Sequence, residues 1–317
     1  MKRNALPNFF IVGAAKCGTT SFAEYLAQHP QVYMSPVKEP HYFTSDIEPS
    51  AIREDVELDQ YFSVQPLAKR HALLVQRPEQ YCQLFAAANG ARAIGEASPS
   101  YLYSTHAPRR IAEEIGDARI LVFLRNPIER AYSHFQMDLI FDVAGAEDFL
   151  EAVQMDRQAP TKVWGAAHLY VELGLYATQL KRYLECFPAD RLKVCIHDDY
   201  RQDVRGTLLE ILSFLGVEQT LASIAVDVKH GEAWRRPIFS GMNRLSQTGM
   251  YRVLQRAVPQ GLRTKTKTLL SRKPRGMRRH EFEALVPLFR DDVRELSSLL
   301  RRDLSHWLVP PPSLPTS

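Results

Sequence analysis

Cysteine, net charge and long apolar runs are all scarce in this chain, and each scarcity removes a class of protein. Cys17, Cys82, Cys186 and Cys195 are its four cysteines in 317 residues. None forms a C-x-x-C pair, and no Cys/His spacing resembles a zinc site. A disulfide scaffold is excluded, and the chain reads as reduced, cytoplasmic and metal-free. Lys and Arg number 40 against 36 Asp and Glu, a formal net charge of +4. That balance is too mild to argue for nucleic acid, so any basic patch has to be argued locally. No segment approaches the roughly 20 apolar residues of a membrane span. The Met-Lys-Arg start and the apolar stretch after it imitate a signal peptide. That stretch runs into a glycine loop without a cleavage signature, so it reads as a first strand. No internal repeat or low-complexity linker divides the chain. One domain over residues 1–308 is the simplest organisation, with a Pro-rich tail over 309–317 that is expected to fray.

What is present alternates between strand and helix. Strands are expected at Phe9–Ala14, Val32–Met34, Arg92–Glu96, Arg119–Leu124 and Leu192–Ile196. Helices are expected at Thr19–His29, Pro108–Ile115, from Pro127 onward, Glu147–Met155, Leu173–Phe187, Val204–Leu215 and Glu281–Arg302. The stretch from Thr44 to Asn89 stays unassigned. The alternation predicts an α/β fold of three layers, P-loop-like, with a central parallel sheet flanked by helices.

The loop after the first strand is Gly13-Ala14-Ala15-Lys16-Cys17-Gly18-Thr19-Thr20. Its glycine spacing is that of a phosphate-binding loop, G-x-x-x-x-G-K-[ST], but the lysine sits inside the loop and Thr19 takes its usual place. Backbone N–H groups and a helix N-terminus can still cradle a phosphate there. Lys16 would stabilise charge developing on a leaving oxygen. The bland alternative, a solvated loop lysine, is disfavoured by its setting. Arg125 stands at the end of a strand, where open α/β sheets place their ligands, and Ser133 lies two turns into the next helix. Together they offer a guanidinium fork and a hydroxyl to one phosphate. The alternative is that Arg125 pairs with a carboxylate and Ser133 is an incidental helix residue.

Phe10–Ser21 (Phe-Ile-Val-Gly-Ala-Ala-Lys-Cys-Gly-Thr-Thr-Ser) resembles the 5′-phosphosulfate loop of sulfotransferases that use 3′-phosphoadenosine-5′-phosphosulfate (PAPS). Arg125–Ser133 (Arg-Asn-Pro-Ile-Glu-Arg-Ala-Tyr-Ser) resembles their 3′-phosphate motif, and Lys38–Phe43 the segment holding the catalytic glutamate in heparan-sulfate-type and bacterial members. Gly95–Leu102 and the ending Phe289 to Trp307 also fit that group. The resemblance implies that Lys16 contacts the phosphosulfate bridge and that Cys17, Gly18, Thr19 and Thr20 bind the 5′-phosphate. It gives the 3′-phosphate to Arg125 and Ser133, and the general base to Glu39, with His41 in reserve. Heparan-sulfate-type enzymes carry a lysine where this chain has Ala97, and Lys38 is the candidate to supply that charge. Lys273 and Arg275 are candidates for donor contacts. They lie in a stretch, Arg252 to Arg279, with ten Lys or Arg and no Asp or Glu. The rest of that stretch would be solvated, or would weakly attract an anionic acceptor or a membrane surface.

The implied reaction moves a sulfuryl group from PAPS, with no metal, to a hydroxyl or amine. The acceptor is a small molecule or a glycan, with a carbohydrate or glycosylated product favoured, and no nucleic-acid partner is expected. Two alternatives stand beside it. One is a P-loop kinase-type phosphotransferase, which the displaced lysine and the lack of a Mg²⁺-binding aspartate argue against. The other is a non-catalytic nucleotide-binding protein of the same fold.

Overall fold

A computed structural model describes residues 6–52, 57–226, 236–237, 271–272 and 275–315. Strand β1 (Phe9–Gly13) leads into helix α1 (Thr19–Leu26), then β2 (Val32–Met34) and β3 (Val37–Lys38). The stretch left unassigned above contains α2 (Leu58–Ser63), β4 (Arg70–His71) and α3 (Pro78–Gln83). There follow β5 (Ala93–Ala97), α4 (Ser100–Tyr103), α5 (Ala107–Glu114), β6 (Arg119–Leu124), α6 (Pro127–Phe141) and α7 (Phe149–Gln158). The chain continues through α8 (Tyr176–Cys186), β7 (Leu192–Ile196), α9 (His197–Gln202) and α10 (Val204–Leu215). Two short strands, β8 (Arg236–Pro237) and β9 (Ser271–Arg272), pair antiparallel, and α11 (Arg279–Leu300) is the last helix. Lys273 and most of the basic stretch lie outside the described residues.

The main sheet has the order β2-β5-β1-β6-β7, and every pairing is parallel. Side chains alternate between the faces of a strand, yet all five residues of β1 are buried, so both faces are covered by other elements. Among them, Phe22 of α1 packs on Phe123 of β6, ring centroids 4.5 Å apart. From β1 the chain goes first to the edge strand β2, returns to β5 beside β1, then crosses to β6 and β7. The reversal puts a crevice at the carboxyl end of β1, between the ends of β5 and β6, where ligands bind in sheets of this kind.

Several boundaries move for identifiable reasons. The first helix stops at Leu26 because Gln28 and His29 donate to Tyr25 and Leu26, three residues back rather than four. The helix expected from Leu173 is broken into a 3-10 turn, Glu172–Gly174, and α8. Asp292 of α11 caps α8 by accepting the Ala177 N–H at 3.1 Å, a partner invisible from local sequence. Asp148 caps α7, which starts two residues later than expected. The tail does not fray through Pro315: its carbonyl accepts the Arg279 N–H at 2.9 Å, at the start of α11. Among the described residues no helix is long and apolar enough to cross a membrane.

Candidate active site

The loop after β1 is closed by its own backbone and by two tyrosines. Cys17 N–H donates to Ala14 carbonyl at 3.2 Å, and Ala14 N–H donates to Phe123 of β6 at 2.7 Å. Tyr200 of α9 donates its hydroxyl to the Cys17 carbonyl at 2.6 Å. Tyr176 of α8 reaches the Cys17 sulfur at 3.7 Å. Gly18 sits at φ 84°, and a Cβ there would stand 2.7 Å from the Tyr200 hydroxyl, so glycine is required twice over. The N-terminus of α1 receives no side-chain cap, and its first turn holds no acidic residue. Its free N–H groups and dipole suit an anion. Thr20 is exposed at this end and Thr19 is buried. The Cys17 side chain is fully buried and backs the loop. Burial pushes its thiol up, away from the thiolate.

Lys16 holds a positive φ of 67°, a conformation few side chains adopt. Its ammonium contacts the Met137 sulfur of α6 at 3.4 Å. Burial holds its pKa below the ordinary lysine value, Asp138 opposes this, and the charges of Arg125 and Arg130 add to the lowering. Three cations therefore act on one another around the loop. Arg130 is wholly buried, and its Nε and Nη1 have no hydrogen-bond partner among the described residues. Such crowding of like charge is costly without an anion between them.

Arg125 stands two residues ahead of α6 and pairs with Glu129 of its first turn, while Ser133 lies one turn further along the helix. Arg125 donates from Nε and Nη2 to one Glu129 oxygen, at 3.1 and 2.9 Å, so the carboxylate pairing weighed above is present. Both side chains keep about a quarter of their surface exposed (23% and 28%), so the pair is one an incoming anion can exchange with. Asn126 caps α6 by accepting the Ile128 and Glu129 N–H groups. It also donates to the Trp307 carbonyl at 3.0 Å, and Trp307 in turn donates to Asp198 after β7. The C-terminal Trp307 thus clasps the ends of β6 and β7 together. Arg275 approaches the same face of α6 through its backbone: its carbonyl accepts from Tyr132 at 2.7 Å and Gln136 at 3.0 Å. Its guanidinium is held by Glu281, which both terminal nitrogens bind at 2.8 and 2.5 Å.

On the other side of the crevice, β3 and β4 form a short parallel pair that carries Lys38 and Glu39. Glu39 N–H donates to Ala97 carbonyl at the end of β5, at 2.9 Å, and Glu39 carbonyl accepts from Leu73 at 3.1 Å. Its φ is 66°, and that of His41 is 53°. The Glu39 carboxylate is bound by the Lys38 ammonium, with His71 at 3.5 Å and His41 at 3.8 Å. Burial pushes this carboxyl up, but Lys38, His41 and His71 outweigh it and hold it below the ordinary glutamate value. Glu39 is ionised at neutral pH. His41 is almost wholly buried, bonded through Nδ1 to the Ser100 hydroxyl at 2.7 Å, and lowered by burial to about 4. It is a neutral support for Glu39, sealed from an acceptor, and a poor reserve base.

Sequence reasoning missed two clusters. Glu96, fully buried at the end of β5, accepts hydrogen bonds from Tyr81, Tyr101 and Ser98 at 2.8, 2.8 and 2.7 Å. Asp138, one residue beyond Met137, accepts from the Tyr170 hydroxyl at 2.7 Å and pairs with His168 at 2.8 Å. Both are assembled from residues far apart in sequence; only the short spacing of Glu96, Ser98 and Tyr101 offered a local signal.

Comparison with known proteins bears on this arrangement directly. A family model described as the sulfotransferase domain matches residues 6–232. Carbohydrate sulfotransferase 15 of Homo sapiens is 27% identical over 248 residues, covering 67% of this chain and 44% of that protein. Bifunctional heparan sulfate N-deacetylase/N-sulfotransferase 2 of Homo sapiens is 27% identical over 216 residues, covering 67% of this chain and 22% of that protein. The chain spans less than half the length of these curated relatives. A solved structure, a sulfotransferase from Alicyclobacillus acidocaldarius, superposes over 96% of this chain and 99% of its own, with 29% identity and a TM-score of 0.66. The domain match runs from ahead of β1 to beyond α10, across the loop, Glu39 and the α6 face, and the chain belongs to the sulfotransferase domain family.

Proposed function

We propose that the protein moves a sulfuryl group from PAPS to a hydroxyl or amine of a carbohydrate acceptor. The observation that carries this reading is Lys16. It is an internal loop lysine, crowded by two arginines, beside an uncapped helix N-terminus and across the crevice from an ionised Glu39. The loop and the start of α1 fit a 5′-phosphate, and the Arg125–Ser133 face of α6 fits a second phosphate once Glu129 yields its place. The donor supplies an activated sulfur whose bond to phosphate oxygen breaks as the acceptor bonds to it, leaving adenosine 3′,5′-bisphosphate. Lys16 stabilises the charge that grows on that phosphate oxygen. Glu39 takes the proton from the attacking hydroxyl or amine. Lys38 keeps Glu39 ionised and supplies the charge that a lysine at position 97 would bring. The carbohydrate class is supported by the relatives' names and by nothing more specific in the loops.

The test is incubation with radiolabelled PAPS and a panel of oligosaccharide, amine and phenolic acceptors. Label appearing on an oligosaccharide, together with stoichiometric adenosine 3′,5′-bisphosphate, is the expected result. PAPS binding without label transfer to any acceptor would sink the reading in favour of a non-catalytic binder. Transfer only to phenols would overturn the acceptor class.

A further inference from the structure

The segment from Trp164 to Tyr170 reaches both sides of the crevice. Trp164 lies beside His41, ring centroids 6.4 Å apart, and its carbonyl accepts the Glu48 N–H at 2.8 Å. Four residues on, His168 is bonded through Nδ1 to Asp138 at 2.8 Å, next to the Met137 that meets Lys16. The His168 ring lies flat on Tyr170, with 3° between the planes and 5.1 Å between centroids. The backbone is fixed as well. Asp156 of α7 accepts the N–H groups of His168, Leu169 and Tyr170 at 2.8, 3.1 and 2.9 Å. One histidine is thus held rigidly on the Lys16 side by a segment anchored on the Glu39 side.

A ring that only filled space would need no carboxylate behind it. Here one nitrogen and one face are occupied, while 29% of the side chain stays exposed. Nε2, across the ring from the nitrogen that binds Asp138, is the remaining polar atom of this side chain. The groups facing His168 are Asp138 and His134 of α6, Asp156 of α7 and Tyr170 of its own segment. The hydrogen bond to Asp138 is the largest influence and raises the His168 pKa, against the effect of burial. His134 is lowered by burial to about 3 and stays neutral.

We propose that His168 is a specificity-determining residue, whose Nε2–H binds an anionic group, carboxylate or sulfate, carried by the acceptor close to the position that is sulfated. The proposal rests on the sulfuryl-transfer reading above. A histidine with a raised pKa is charged below that pKa and loses its charge as pH climbs through it. Preference for an anionic acceptor is therefore strongest on the acid side and fades on the alkaline side.

The experiment compares two matched oligosaccharides, one carrying a uronate or sulfate and one neutral, in the wild type and in His168→Ala. Turnover is followed from about pH 6 to 8.5, spanning the ordinary histidine range and above. Calorimetric titration of each oligosaccharide without donor runs in parallel. For the anionic acceptor, His168→Ala is expected to raise KM about tenfold and to remove its pH dependence, as loss of a charge-assisted hydrogen bond does. KM for the neutral acceptor, KM for PAPS and kcat stay within about twofold, since a contact outside the reacting atoms moves binding alone. Equal losses on both acceptors, or an unchanged pH profile, would overturn the proposal. If the wild type sulfates neither oligosaccharide, the transfer reading fails and calorimetry decides the site. Anionic binding lost in the variant supports it, and equal binding in both proteins refutes it. Should the alanine variant fail to fold, His168→Gln keeps a donor to Asp138 without the charge and serves in its place.

Discussion

Lys16 and Glu39 sit at nearly the same positive φ, 67° and 66°, beside the carboxyl ends of the neighbouring strands β1 and β5. They are held there by different means. Lys16 belongs to a loop closed by one internal bond, Cys17 to Ala14, with Gly18 at the turn into α1, and braced from outside by Phe123, Tyr176 and Tyr200. Glu39 is held from outside, by Ala97 of β5 and by Leu73 beyond β4. Their charges are tuned in opposite senses: like charges from Arg125 and Arg130 press on Lys16, and the opposite charge of Lys38 steadies Glu39. A cation under pressure gains most when negative charge appears in front of it, which suits a leaving group. A steadied carboxylate stays ionised through acid pH, which suits a base at some cost in basicity.

The sharpest way to break this comparison is to remove each member. Lys16→Ala should lower kcat by roughly 10³-fold with PAPS affinity little changed, because the interaction strengthens as charge develops. A loss confined to PAPS KM would make Lys16 a binding residue only. Glu39→Gln should lower kcat by about 10²-fold, the lower end for a positioned base, and leave PAPS binding intact by calorimetry. For the wild type, a lowered Glu39 pKa means that the base limb of the kcat profile falls off only below the ordinary glutamate range. A limb near neutrality would assign the base to another group.

The same contrast explains what could be read in the sequence. The sheet was legible because buried parallel strands are short apolar runs: Arg119–Leu124 and Leu192–Ile196 fall where expected. The loop after β1 was legible because its pattern lies within eight consecutive residues, glycines included. The setting of Glu39 was not, since β4 is two residues long and its pairing with β3 spans more than thirty positions. The Asp138–His168 pair and the Asp292 cap failed to show for the same reason: a hydrogen bond across long separations leaves no spacing to recognise. A carboxylate partner for Arg125 was weighed without a name, and the structure supplies Glu129, four residues on.

A gentler perturbation tests whether the loop after β1 acts independently of the Glu39 side. Gly18→Ala forces alanine into a left-handed conformation and drives its Cβ to 2.7 Å from the Tyr200 hydroxyl. Losing glycine's freedom and the Tyr200 bond to Cys17 should cost about 2–4 kcal/mol of stability. Chemical denaturation measures that, and PAPS KM should rise while acceptor KM holds. An acceptor KM that rises in step would show that the two sides are not independent.

Glu96 joins the two sides. It lies at the end of β5, between the β1 loop and the strand end that holds Glu39. Burial pushes its carboxyl up to about 7 against its three hydroxyl hydrogen bonds, with the Glu39 charge adding to the rise. An acid raised in the folded state stabilises the fold fully at low pH. That contribution is lost between the unfolded value near 4.5 and the folded value near 7, by at most about 1.4 kcal/mol per pH unit. Glu96→Gln should flatten this part of the profile, seen as unfolding midpoints at pH 5 and pH 7.5 that lie closer together than in the wild type. Adding Glu39→Gln to the wild-type Glu96 removes a neighbouring negative charge, so carbon-detected NMR titration should find the Glu96 carboxyl lower than before. An unmoved Glu96 would mean that β5 insulates the two sides of the crevice rather than coupling them.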